Sequence, residues 1–195
     1  DEDVRRMIDN DNYLSAFEVM NYIFVLIGDV DMDDSDGGTG MLADRIYQLW
    51  LELLVKVSAE EKKQMFDWFT SHLDGSVIDY LEEYIEQILM EEFEEKEYEQ
   101  DKLDFIEDMI ARSERKEYDW SRDYAVGKWA VRYLELLKKK KASEEQIKEI
   151  CKKYWNNSTV RRYYIDICMK NKEYDHVLQV LDECILLDKE YRGLI

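Results

Sequence analysis

The sequence contains no proline in 195 residues, where average usage of about 5% would supply roughly ten. Helix interiors reject proline, whereas turns and long loops collect it. Glycine is scarce as well, at seven. Together the two shortages exclude a turn-rich β fold and predict helices joined by short links. Cysteine is limited to Cys151, Cys168 and Cys184. Their number is odd and no two form a CxxC pair, which argues against a disulfide framework and a zinc site. Each falls among apolar residues of a helical pattern, where a small buried thiol is the ordinary role. No signal-peptide pattern is visible, and no apolar run reaches the ~18 residues that a membrane span needs. The expected compartment is the cytoplasm, without membrane contact, and no cofactor or metal is expected. The chain starts at Asp1 and ends at Ile195 within a helical pattern, which reads as an excised part of a longer protein.

What is present is apolar and charged at once. Hydrophobic residues make up 46% and aromatics 13%, too rich for a disordered chain even with 37% charged residues. The net charge of −19 is unevenly spread. Residues 1–100 carry 27 acidic against 7 basic side chains, and residues 101–195 carry 19 against 20. The acidic half repels nucleic acid and anionic membranes. The second half is neutral but holds a basic stretch.

Apolar residues recur at three- and four-residue spacing almost throughout. After a brief opening segment with Val4, Met7 and Ile8, the residues Leu14, Phe17, Met20, Phe24 and Ile27 make one apolar face over 13–27. After the loop 28–40, a helix over about 41–57 uses Leu42, Ile46, Trp50, Leu51 and Leu54. Ser58 with Glu61 predicts a capping box, and Ser143 with Gln146 a second. Further helices are marked by Leu81, Ile85 and Ile88; by Leu103, Ile106 and Ile110; and by Trp129, Tyr133, Leu136 and Leu137. Asn157-Ser158 opens one with Tyr164, Ile165 and Cys168, and the last runs over about 174–187. About ten helices in five hairpins predict a single all-α domain of stacked antiparallel helical hairpins, an α-solenoid. Lys172, Glu173, Tyr174 and Asp175, followed by Val177, Leu181, Cys184 and Leu187, are similar to the second helix of a tetratricopeptide repeat. Residues 12–16 fit the same template. The terminal proline and the tryptophan–leucine–glycine signature are absent, so the expected superhelix is tetratricopeptide-like and degenerate.

No motif supplies catalytic chemistry. The acidic loop 29–37 fits an EF-hand in neither glycine register: Gly37 as sixth ligand position puts Met32 first and Ala43 twelfth, and Gly38 leaves Gly37 and Asp44 as poor ligands. It reads as a polar turn before a helix, with weak cation binding as the alternative. The run Glu91–Glu99 has one Glu-x-x-His motif elsewhere to join it, Glu173 with His176, where a carboxylate-bridged dimetal site needs two. The 46 carboxylates offer too many pairs for any one to indicate glycoside hydrolysis. A nucleophile elbow is absent, and Gly37-Gly38-Thr39-Gly40 lacks the lysine of a phosphate-binding loop. The chain is expected not to be an enzyme.

The basic stretch 128–162 holds 11 basic against 4 acidic residues, interleaved with rings. Cations for phosphates and planar rings for bases are what single-strand binding uses, yet helical periodicity puts Trp129, Tyr133 and Tyr164 inward. Lys138 to Lys141 sit at a helix C-terminus, where cations are favoured locally. The candidate partner surface is Lys152, Lys153, Trp155, Arg161, Arg162 and Tyr163, and the expected partner is a protein, with nucleic acid as the alternative.

Four segments carry a family resemblance: VDMDDSDGGTGMLADRIYQLW (30–50), FDWFTSHLDGSVIDYLEEYIE (66–86), YDWSRDYAVGKWAVRYLELL (118–137) and KKYWNNSTVRRYYID (152–166). The chain resembles, over nearly its whole length, the C-terminal helical region of bacterial SWIM zinc-finger proteins. The resemblance implies a zinc finger upstream with a CxC…CxH ligand set. No residue of this chain takes a place in that set, because Cys151, Cys168 and Cys184 lack the spacing. SWIM fingers are thought to bind DNA or proteins. The family does not specify the helical region's own role; the expected stack of hairpins reads as a protein-interaction scaffold serving a larger DNA-associated protein.

Overall fold

The structure, a computed structural model, describes residues 2–27, 37–73, 75–77 and 79–191. Among these residues it is all-α, with ten helices and no strand: α1 (Glu2–Asp9), α2 (Tyr13–Leu26), α3 (Gly38–Lys56), α4 (Ala59–Ser71), α5 (Asp79–Glu91), α6 (Tyr98–Glu114), α7 (Asp119–Lys139), α8 (Glu144–Lys153), α9 (Ser158–Lys170) and α10 (Tyr174–Tyr191). The expected all-helical class is what the chain adopts. No described helix is long and apolar enough to cross a membrane.

The boundaries follow local chemistry. Ser58 accepts the backbone N–H of Glu61 while the Glu61 carboxylate accepts from the Ser58 backbone, and Ser143 with Gln146 does the same. Both capping boxes expected from sequence are therefore made. Asn157 caps α9 by accepting from the Thr159 N–H at 3.0 Å. Helix α3 begins at Gly38, earlier than its apolar pattern suggests, because Gly37 turns into it at φ +75°, a left-handed conformation that glycine adopts without strain. Its buried face also differs from the expectation. Ala43, Ile46, Tyr47, Leu49, Trp50, Leu53 and Leu54 are buried, while Leu42 is exposed and Leu51 half-buried.

The chain divides into two compact units, residues 1–99 and 100–195. Within the first, α2 packs against α1 and α3, and α5 against α3 and α4. An aromatic cluster forms its core. Phe24 lies 4.7 Å from Trp50, and Trp50 lies 5.0 Å edge-on to Phe69. Phe66 meets both Phe93 (5.1 Å) and Tyr98 (5.0 Å). The acidic run 91–99 is thus pinned by two fully buried rings while its carboxylates stay largely at the surface.

Within the second unit, α7 packs against α8 and α9, and α9 against α8 and α10. Gly127 lets α7 approach the α9 cap: a Cβ there would stand 2.5 Å from Asn157 Oδ1. The core holds Ile106, Ile110, Trp129, Ala130, Leu134, Cys151, Val160, Cys168, Val177 and Val180. Of the five tryptophans, expected mostly in the core, Trp50 and Trp129 are buried, Trp68 and Trp155 are half-buried and Trp120 is 76% exposed. The boundary between units coincides with the shift from acidic to neutral sequence.

Candidate functional site

In the second unit, α8, α9 and α10 enclose a cleft of about 440 Å3, within the size range of ligand and peptide pockets. Its floor is Cys151, Tyr164 and Val180, all buried. Lys148 and Lys152, one turn apart on α8, stand on one rim, and Glu183 of α10 on the other. Trp155, in the α8–α9 link, lies between them. Its indole N–H donates to Glu183 Oε1 at 3.0 Å and its ring packs edge-on against Tyr164 at 5.5 Å. The indole is therefore held in place while remaining half-exposed.

Two polar groups of the floor, the Tyr164 hydroxyl and the Cys151 thiol, keep their protons at neutral pH. Tyr164 Oη lies 3.0 Å from His176 Nε2, and burial pushes the Tyr164 hydroxyl up to about 12. Burial likewise pushes the Cys151 thiol up to about 11, and raises the Cys168 thiol. A thiol held protonated is a poor nucleophile and a poor metal ligand. Lys148 lies 3.9 Å from Glu144, and Lys152 makes no ion pair among the described residues. The cleft thus offers an apolar floor, one anchored ring and a rim that is cationic on its α8 side, with Glu183 opposite. It can hold an apolar group that carries negative charge.

Of the six residues singled out from the sequence, two line the cleft and Arg161 is buried. Lys152 and Trp155 line the cleft. Lys153 instead leans over the Tyr154 ring at 5.0 Å. Arg161 is corrected outright: it is only 5% exposed, and its Nη1 donates at 2.9 Å to the backbone carbonyls of Trp155 and Asn156. A guanidinium occupied with uncapped carbonyls at a helix C-terminus holds the α8–α9 link together and is not offered to a partner. Arg162 is exposed, and Tyr163 is half-buried with burial raising its hydroxyl. Lys148, Val180 and Glu183 were not singled out, and His176 was weighed only as part of a metal motif. Their meeting depends on how three helices cross, and sequence spacing codes only for Lys148 and Lys152 sharing a face.

The other candidate chemistries resolve locally. His176 engages Tyr164, and Glu173 accepts from Asn171 at 3.4 Å, so each side chain of the Glu-x-x-His pair has a partner of its own. Among the described residues no group of three His, Cys, Asp or Glu side chains converges as a metal site. The calcium reading of 29–37 falls on residues outside those described, apart from Gly37. No protein-family profile, curated protein or solved structure matches this chain.

Proposed function

We propose that this chain is a non-catalytic protein-docking module, the accessory helical region of a SWIM-type zinc-finger protein, built as a degenerate tetratricopeptide-like stack. The observation that carries the reading is the α8–α10 cleft, with Trp155 anchored over an apolar floor and Lys148 and Lys152 on its rim. An indole fixed by a hydrogen bond gives large contact area at low entropic cost, and such rings dominate interface energetics. Within the second unit α7 packs on α8 and α9 on α10, with α7–α9 and α8–α9 contacts across the hairpins, which supports hairpin stacking there. That pattern is what successive repeats make. The partner segment is acidic with an apolar anchor, matching the cationic rim and the local basic excess of 128–162.

Nucleic-acid binding by the same stretch has less support. Trp129, Tyr164 and Arg161 are buried, so those rings and that guanidinium are not offered to bases or phosphates. A titration of the full chain with a labelled acidic peptide bearing one leucine or phenylalanine, beside a single-stranded oligonucleotide, separates the two. The docking reading expects saturable peptide binding that weakens about tenfold in Trp155→Ala and in Lys152→Glu. Oligonucleotide binding that exceeds it, with a steep salt dependence, would replace that reading with the alternative.

A further inference from the structure

A second groove lies in the other unit, between α2 and α4, with a volume of about 390 Å3. Phe17 and Asn21 form its floor, Trp68 and His72 one wall, and Glu18 and Tyr22 the other. We propose that this groove binds an extended, basic peptide segment, gripping its backbone through Asn21 and its cationic side chains through the Trp68–His72 and Tyr22 rings and the Glu18 carboxylate.

The floor supplies the first observation. Asn21 is 5% exposed, and its Oδ1 is taken by the Trp50 indole N–H at 3.0 Å. Its Nδ2 has no hydrogen-bond partner among the described residues. That N–H2 opens on the groove and is not enclosed, so an incoming acceptor would take the place of water there. The acceptor present in every peptide, whatever its sequence, is the backbone carbonyl.

The walls supply the second. Trp68 and His72 are stacked at 4.1 Å with 19° between their planes, so each ring covers one face of the other and the pair stands as a two-ring wall with an outer face and edges to offer. Tyr22 is 68% exposed with no burial to explain a large ring there. Flat rings take the aliphatic stems of lysine and arginine and attract their charged ends.

Charge selects the sign of the partner. This unit carries 27 acidic against 7 basic residues, and Glu18 makes no ion pair among the described residues. The two lysines of α4 are committed elsewhere: Lys62 to Glu95, and Lys63 to Asp67 at 2.6 Å. An acidic segment would be repelled, and a neutral one would leave Glu18 unused. The proposal rests on the docking reading in kind only, because its residues belong to the other unit and its variants leave the α8–α10 cleft untouched.

The test is fluorescence anisotropy of the full chain with a labelled decapeptide alternating arginine and leucine, at about 150 mM salt so that diffuse attraction is screened. Its glutamate counterpart and spermine, a cation without carbonyls, serve as controls. Saturable binding is expected for the basic peptide alone, about tenfold weaker in Tyr22→Ala and in Glu18→Lys, both changes at exposed positions. Asn21→Ala is expected to weaken it by a similar factor. Should that variant lose its fold, the two surface variants decide. Trp155→Ala is expected to bind the basic peptide as the wild type does, so failure here and failure of the cleft reading remain distinct. Unchanged affinity in both surface variants, displacement by spermine at equal charge, or absence of saturation would overturn the proposal.

Discussion

The indole N–H of Trp50 donates to the side-chain carbonyl of Asn21 at 3.0 Å, inside the aromatic core that joins α2, α3 and α4. Trp50 is fully buried, so its N–H has no access to water once Asn21 is gone. Asn21→Leu should therefore destabilise the first unit by about 1–3 kcal/mol, the cost of an orphaned buried donor. Urea denaturation followed by tryptophan fluorescence checks this. A variant as stable as the wild type would show that the bond contributes nothing net.

The Tyr98 hydroxyl presents the opposite case. It is buried beside Phe66 and Phe93 and makes no hydrogen bond. Tyr98→Phe removes an unpaired polar atom and leaves the ring contacts, so stability should stay equal or rise by up to about 1 kcal/mol. A clear loss in thermal melting would mean that the hydroxyl has a partner in solution.

Gly127 sits inside α7, where glycine costs about 1 kcal/mol relative to alanine. Its use is contact with Asn157, whose Nδ2 donates to the Asp123 carbonyl at 2.6 Å and whose Oδ1 caps α9. Both ends of that side chain are engaged, so it cannot step aside for a Cβ placed 2.5 Å from Oδ1. Gly127→Ala should destabilise by about 1–2 kcal/mol despite its better helix propensity. In a double-mutant cycle with Asn157→Ala the two losses should be less than additive.

Alkaline stability follows from three tyrosines. The Tyr84 hydroxyl donates to Asp44 at 2.6 Å, which pushes it up to about 12. Burial first, and then a hydrogen bond to Glu107, push Tyr133 up to about 12, and burial does the same to Tyr164. The unfolded chain ionises these phenols near 10 and the folded chain near 12. Their contribution is complete below pH 10 and is lost as pH rises toward 12. Absorbance titration of the 14 tyrosines should show a late group, and stability should fall over the same interval. Coincident ionisation of all of them near pH 10 would contradict these environments.

The thiols should differ in reactivity. Cys151 and Cys168 are buried, and Cys184 is half-buried. With burial holding Cys151 up near 11, maleimide at pH 7 should label Cys184 first and the other two only on unfolding. Rapid native labelling of Cys151, detected by peptide mapping, would mean that the α8–α10 cleft opens far more than its geometry implies.

Much of this architecture is legible in the sequence. Missing proline and the apolar spacing announce the helices, and the Ser58–Glu61 and Ser143–Gln146 pairs fix two starts because capping is a local exchange of hydrogen bonds. The buried faces of α2 and α5 are legible for the same reason. The sites are less so. Arg161 reads as a surface cation because its charge is visible and its two carbonyl acceptors are not. Asn21 reads as an ordinary polar residue within an apolar face, since its partner Trp50 is 29 positions away. Clefts arise from how helices cross, and nothing within one helix encodes that.

The docking claim is tested most directly by selecting a random peptide display library on the immobilised full chain and on its Lys152→Glu/Trp155→Ala variant. The account predicts enrichment on the wild type of acidic peptides with one large apolar residue, and loss of that class on the variant. Identical enrichment on both chains, or none on either, would contradict it.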